Sequence, residues 1–158
     1  ELNLGSYYQA PDEFLPGKGS TITKSPQGSL GISICFEILY ADFIRRSVLG
    51  GAELIVNISN DSWFGDSAMP LLHLWASRLR AVENRRYLIR ASNSGYSAII
   101  SPTGEILQKT KLNEQAKIQA ETRRLNQHSI YSIFGDWILF VAAIFLSIIP
   151  IRILISAR

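Results

Sequence analysis

"GISICFEILYADFIRR", residues 31–46, decides how the chain is read. It opens with the strand formers Ile32, Ser33 and Ile34. It then carries the chain's one cysteine at Cys35 and a carboxylate at Glu37, and ends in Arg45 and Arg46. The pattern predicts a buried strand over 29–36, a sharp turn, and a helix over 40–49 stopped by Gly50 and Gly51. Two readings of Cys35 are open at this level. A lone cysteine commonly serves as a small buried hydrophobe. A strand that turns into a helix instead presents a nucleophile, because the N–H groups there stabilise a thiolate and an oxyanion. Glu37 is close enough to orient a neighbour or to share a proton.

Working outward, residues 1–27 are rich in Gly, Pro, Ser and Thr and read as loop. "AELIVNIS", 52–59, is a second strand whose unbroken apolar run predicts cover on both faces. "NDSWFGDSAMP" is a loop, and 69–86 is a helix. "YLIRASN" and "YSAIISPTGEIL" are strands joined near "NSG", with "SPTG" as a turn, and "AKIQAETR", 116–123, is a further short strand. The order strand–helix–strand–helix–strand–strand predicts an α/β layered domain.

The composition narrows the function. The chain has 158 residues, 47% hydrophobic and 18% charged, which is a globular balance shifted toward apolar. A single cysteine excludes an internal disulfide. The net charge of +3 is modest, and the basic pairs Arg45-Arg46, Arg85-Arg86 and Arg123-Arg124 are scattered. They form no stripe for nucleic acid and read as solvated helix faces and strand ends. His73 and His128 have no ligand spacing, so neither a metal nor another cofactor is expected. Glu83 is expected to pair with Arg80 or Arg86 on its helix. Asn60 and Asp61 are expected to cap the loop and brace Trp63 and Phe64, and Asn93 and Gly95 to make a tight turn. Trp75 faces either core or lipid.

The apolar excess collects in "DWILFVAAIFLSIIPIRILI", 136–155, which has no charged residue from 137 to 151. A helix needs about 20 apolar residues to span a bilayer. This one reaches that length with Arg152 snorkelling to the interface and Trp137 in the belt at the other end. A transmembrane helix over 136–155 is therefore expected, after a domain over 1–130. Arg152 and Arg158 place the C-terminus in the cytoplasm by the positive-inside rule. The N-terminal "ELNLGSYYQ" shows no signal peptide and no initiator Met, and reads as a cut from something longer.

Taken in order, C-x-E after a strand, N-D-x-W-F-G, R-A-x-E-x-R, N-x-G and P-x-G resemble the nitrilase, or carbon–nitrogen hydrolase, superfamily. Within it they are most similar to the apolipoprotein N-acyltransferase family, the membrane enzymes that complete bacterial lipoproteins. "NDSWFGDS" discriminates, since soluble amidases usually carry a different loop there. The resemblance implies a Glu-Lys-Cys triad on an αββα sandwich in the bacterial plasma (inner) membrane, with the catalytic domain on the periplasmic face. Cys35 matches the nucleophile that takes an acyl group from a phospholipid as a thioester. The amine of a diacylglyceryl-cysteine on an apolipoprotein then receives it. Phe36 supplies a backbone oxyanion donor, Glu37 supports the nucleophile, and Trp63, Phe64 and Asn60 border the acyl-chain entrance. The family's Glu and Lys lie upstream in a K-x-x-L-V-P-F-G-E type segment, and residues 1–34 hold no match to it. The chain thus reads as the C-terminal portion of such an enzyme, inactive alone and with apolar sheet faces exposed. Two alternatives stand beside this: a membrane-anchored amidase cleaving a C–N bond, and a non-catalytic fragment.

Overall fold

A computed structural model describes residues 19, 21–26, 28–65 and 67–156, with side chains from Ile22 to Ser147. Six strands form one sheet in sequence order: β1 (Thr21–Ser25), β2 (Gly28–Ile34), β3 (Leu54–Ser59), β4 (Leu88–Ser92), β5 (Ala98–Ile100) and β6 (Ile106–Lys109). β2, β3 and β4 run parallel, and the pairs at either edge are antiparallel. Parallel neighbours need crossovers, supplied by α1 (Ala41–Leu49) and α2 (Met69–Asn84). Both crossovers step the same way across the sheet, so right-handed connections put both helices on one face. Two further helices follow, α3 (Ile130–Phe134) and α4 (Trp137–Ser156).

Strand alternation sorts the side chains. Gly31, Ser33, Ile55, Asn57, Leu88 and Arg90 are buried on one face. Ile38, Ile44, Val48, Ile55, Leu74, Ala81, Leu88, Ala98 and Ile100 make the hydrophobic core between that face and the helices. Gly31 lets α1 approach, since a Cβ there would lie 2.7 Å from Ser47 Oγ and 3.0 Å from Ala52 Cβ. The opposite face pairs Leu30 with Leu54, Ile32 with Val56, and Ile34 with Ile58. Among the described residues it carries no helix layer, and Ile34 and Ile58 are 64% and 52% exposed. The apolar run of β3 is therefore covered fully on one face only.

Three expectations are corrected. Thr21–Ser25 is a strand rather than loop, because a segment opening with three consecutive β-branched residues forms a hairpin with β2 across the turn at Pro26. Residues 116–123 form no strand. Only Ile118 and Ala120 there are half-buried, too little apolar surface to hold an added edge. Arg86 is not solvated but 1% exposed. Its guanidinium donates to the carbonyls of Ala52, Asn84, Arg85 and Gln127 and so closes the carbonyl end of α2. Burial holds its pKa below the ordinary value.

α4 is apolar on its described faces, with Ile138, Leu139, Phe140, Ile144, Phe145 and Leu146 all exposed. Among the described residues no helix is long and apolar enough to cross a membrane.

Candidate active site

The strand of Cys35 ends at Ile34, two residues earlier than its apolar run implies, because the backbone reverses at Cys35. Its φ is 51°, in the left-handed region, and a 3-10 turn over Cys35–Leu39 leads into α1. A non-glycine residue there costs free energy that the surroundings must hold in place. A buried packing cysteine needs no such backbone. Cys35 is a free, half-buried thiol, so the turn fits a displayed nucleophile rather than a core filler.

Two groups hold this elbow. From outside, Glu37 Oε2 accepts the Ile34 N–H at 2.7 Å, closing the turn across Cys35. That is an orienting role for Glu37, on the backbone. From inside, Asn57 Nδ2 donates to Cys35 O at 3.3 Å, to Ser33 O at 3.3 Å and to Ser33 Oγ at 3.1 Å.

Asn57 is in turn tied into a buried polar network. Parallel register sets Asn57 opposite Arg90, and Arg90 donates to Asn57 Oδ1. The same guanidinium grips Asp61 at 2.7 and 3.0 Å, with both side chains fully buried. Ser59 Oγ donates to Asp61 Oδ1 at 2.6 Å, and His73 Nδ1 lies 3.3 Å from the same oxygen. Burial alone would raise the Asp61 carboxyl, but the Ser59 hydroxyl and Arg90 reverse this and hold it below the usual range. His73 moves down, first through burial and then through Arg90, against the pull of Asp61. The imidazole is thus neutral near pH 7. His73 Nδ1 also lies 3.3 Å from the Arg90 guanidinium, so this nitrogen faces an acceptor and a donor at once. Gly95 is required beside this cluster, since a Cβ would lie 2.0 Å from Asp61 Oδ2.

His73 also carries the network to the aromatic residues. Its ring meets Phe36 edge-on at 4.9 Å and Phe64 at 5.1 Å, and Phe36 meets Phe64 at 5.7 Å. The structure therefore brings Phe36 and Phe64 together and leaves Trp63 outside, 76% exposed. Asn60 turns its side chain onto Ser62, accepting from its N at 3.2 Å and its Oγ at 2.7 Å, and so shapes the Ser62–Phe64 turn. Asp61 caps the same turn through its carbonyl, which accepts from Phe64 N at 3.1 Å, while its side chain turns into the core. Away from the elbow, Glu83 pairs with Arg80 at 3.2 Å, and burial raises its carboxyl. Trp75 lies at the surface under Arg78. Among the described residues no group of three or more His, Cys, Asp or Glu side chains is arranged to hold a metal ion.

Sequence reasoning reached the elbow and the aromatic loop but missed the roles of Asn57, Arg90 and His73. The available signal was polar: an Asn inside "LIVNIS" and an Arg inside "YLIRAS", both interrupting buried apolar runs.

Comparison with known proteins agrees with this geometry. The family model described as carbon-nitrogen hydrolase matches residues 6–127. An apolipoprotein N-acyltransferase of Geobacter metallireducens is 39% identical over 124 residues, covering 78% of this chain and 24% of that protein. One from Bdellovibrio bacteriovorus is 36% identical over 148 residues, covering 90% of this chain and 27% of that protein. The chain thus spans about a quarter of the length of these curated relatives. Among solved structures, a Saccharomyces cerevisiae member of branch 10 of the nitrilase superfamily superposes with a TM-score of 0.55 at 25% identity, covering 64% of this chain and 40% of that one. A carbon-nitrogen hydrolase from Helicobacter pylori shares the fold, with a TM-score of 0.58 at 23% identity, covering 65% of this chain and 43% of that one. The chain belongs to the carbon–nitrogen hydrolase family.

Proposed function

We propose that this chain is the nucleophile-bearing part of an apolipoprotein N-acyltransferase. The observation that carries the reading is Cys35 itself, a half-buried thiol on a left-handed turn at the end of β2, in a chain whose relatives bear that name. The Cys35 thiolate attacks the acyl ester of a membrane phospholipid. The acyl group becomes a thioester and a lysophospholipid leaves. The N-terminal amine of a diacylglyceryl-modified apolipoprotein then takes the acyl group and frees the thiol. Splitting the transfer into two acyl exchanges lowers each barrier. The Phe36 N–H faces the developing oxyanion, Glu37 braces the turn, and Trp63 with Phe64 and Asn60 forms the border where an acyl chain enters.

In this reading the open apolar face of the sheet is the half of an αββα sandwich that a second sheet covers, and that layer brings the base and the lysine. α4 enters the bacterial inner membrane, with the domain on the periplasmic face and the C-terminus in the cytoplasm. Support comes from the charge-free run 137–151, with Trp137 at its start and Arg152 and Arg158 beyond it. In spheroplasts, with Cys35→Ser and no other cysteine in the protein, a cysteine placed by Arg158→Cys is expected to escape a membrane-impermeant maleimide until the cytoplasmic side is opened. Labelling of intact spheroplasts would reverse the orientation.

The direct test uses the full-length protein in phospholipid membranes. Mass analysis of the peptide containing Cys35 should show a fatty-acyl adduct that neutral hydroxylamine removes and that Cys35→Ser does not form as a thioester. A folded protein that forms no adduct but releases ammonia from small amides would be an amidase instead.

A further inference from the structure

We infer that Asn57 is a positioning residue for the oxyanion: by holding the Cys35 carbonyl it aims the Phe36 N–H at the substrate's carbonyl oxygen. This rests on Cys35 being the acylated nucleophile, but not on which acyl donor it uses. The orientation of the Asn57 amide is forced. A guanidinium can only donate, so Oδ1 must face Arg90, and Nδ2 must then face Ser33 and Cys35. Every acceptor of Nδ2 therefore belongs to the end of β2 and its elbow, and none to the strand of Asn57 itself.

The Cys35 carbonyl and the Phe36 N–H belong to one peptide unit. That unit is planar and trans, so its C=O and N–H point in opposite directions. Pinning the carbonyl inward, toward β3, turns the N–H away from the core. Phe36 lies in the first turn of the 3-10 segment, where N–H groups have no partner within the turn. Donation to the carbonyl also polarises the peptide and strengthens the N–H as a donor. The network secures this placement twice. Arg90, gripped by Asp61, keeps Asn57 from rotating, and His73, also on Asp61, packs edge-on against the Phe36 ring. One chain of contacts, buried from Asn57 to His73, thus starts at the Cys35 carbonyl and returns to the Phe36 side chain.

The test compares two reactions of the same thiol in the full-length protein. With p-nitrophenyl butyrate, sulfur forms a bond to the ester carbon and the C=O electron pair moves onto oxygen. Collapse of that oxyanion expels p-nitrophenolate and leaves a butyryl thioester, while the thiol proton passes to solvent. Alkylation by iodoacetamide displaces iodide at a saturated carbon and develops no oxyanion. Asn57→Ala should slow the p-nitrophenolate burst by roughly tenfold to a hundredfold, while alkylation stays within about threefold and the half-saturating ester concentration is unchanged. Asn57→Asp should do the same. It keeps an acceptor for Arg90, and hence a folded core, but faces Cys35 O with an oxygen. A burst of normal rate in Asn57→Asp, or alkylation falling in step with acylation, would overturn the assignment. A burst that survives Cys35→Ala would remove the nucleophile and this assignment together. A Cys35 burst that weakens in both Asn57 variants while alkylation holds supports the assignment even if no lipid adduct ever forms.

Discussion

Arg86, two residues before β4, and Arg90, at the middle of that strand, are equally buried, each 1% exposed, yet they do different things. Arg86 donates its hydrogen bonds to main-chain carbonyls, those of Ala52, Asn84, Arg85 and Gln127. It fills the donor shortage at the end of α2 and ties distant segments to it. Arg90 meets side chains, Asn57 and Asp61, and through them the elbow and the aromatic rings. Burial and charge alone do not distinguish a stabilising arginine from one wired to a site. The identity of the acceptors does.

The sharpest way to break this contrast is to remove each guanidinium in turn. Arg90→Met leaves the Asp61 carboxylate buried without its counter-ion, which costs about 3–5 kcal/mol of unfolding free energy. It should also slow acylation of Cys35 in whatever protein remains folded, since Asn57 loses its anchor. Adding Asp61→Leu should restore part of the stability, because a pair removed whole leaves no buried charge, and should leave acylation slow. Arg86→Met is expected to cost about 1–3 kcal/mol for each carbonyl that water does not reach, with acylation per folded molecule unchanged. Denaturant unfolding and the ester burst measure both quantities. Equal slowing in the Arg86 and Arg90 variants would erase the distinction.

A smaller effect follows from His73. Its folded pKa is held below the unfolded value, which is near 6.5. As pH falls below about 6.5, the unfolded chain takes up a proton that the folded chain refuses, so stability declines. A histidine beside an aspartate would ordinarily do the reverse, but burial and Arg90 outweigh Asp61 here. The Asp61 carboxyl, also lowered, gives the same sign at more acid pH, its contribution being lost as pH falls through its folded value. His73→Phe keeps a ring against Phe36 and Phe64 and should flatten the decline that begins near pH 6.5 while leaving the acid limb. An unaltered profile would mean that another group titrates there.

The same contrast explains what the sequence made legible. The strand, elbow and helix around Cys35 are contiguous, and so are β3 and α2, so local periodicity sufficed. Arg86 read as solvated because nothing in "NRRY" reveals that Ala52 and Gln127 lie across it. The pairing of Asn57 with Arg90 depends on the register of two parallel strands separated by a whole crossover helix. Only the placing of a polar residue within each apolar run hinted at it. β1 was hidden for a related reason: five residues become a strand only because β2 offers an edge. The segment 116–123 shows the converse, alternation with no edge that holds it.

The smallest expected effect tests the aromatic loop. Trp63 and Phe64 are adjacent in sequence, but Phe64 is locked edge-on to Phe36 and His73 while Trp63 is 76% exposed. Trp63→Ala should therefore change unfolding free energy by no more than about 0.5 kcal/mol. Phe64→Ala should cost more, since it removes two ring contacts worth about 0.5–1.5 kcal/mol each beyond simple burial. A side chain that contributes so little to the fold keeps its apolar surface in water at a free-energy cost, and a lipid substrate would relieve that cost. Trp63→Ala is accordingly expected to raise the half-saturating concentration of long-chain phospholipid while leaving the p-nitrophenyl butyrate burst as it was. If both substrates suffer alike, Trp63 acts on the elbow and not on the acyl chain, and the division between its outward role and the inward role of Phe64 fails.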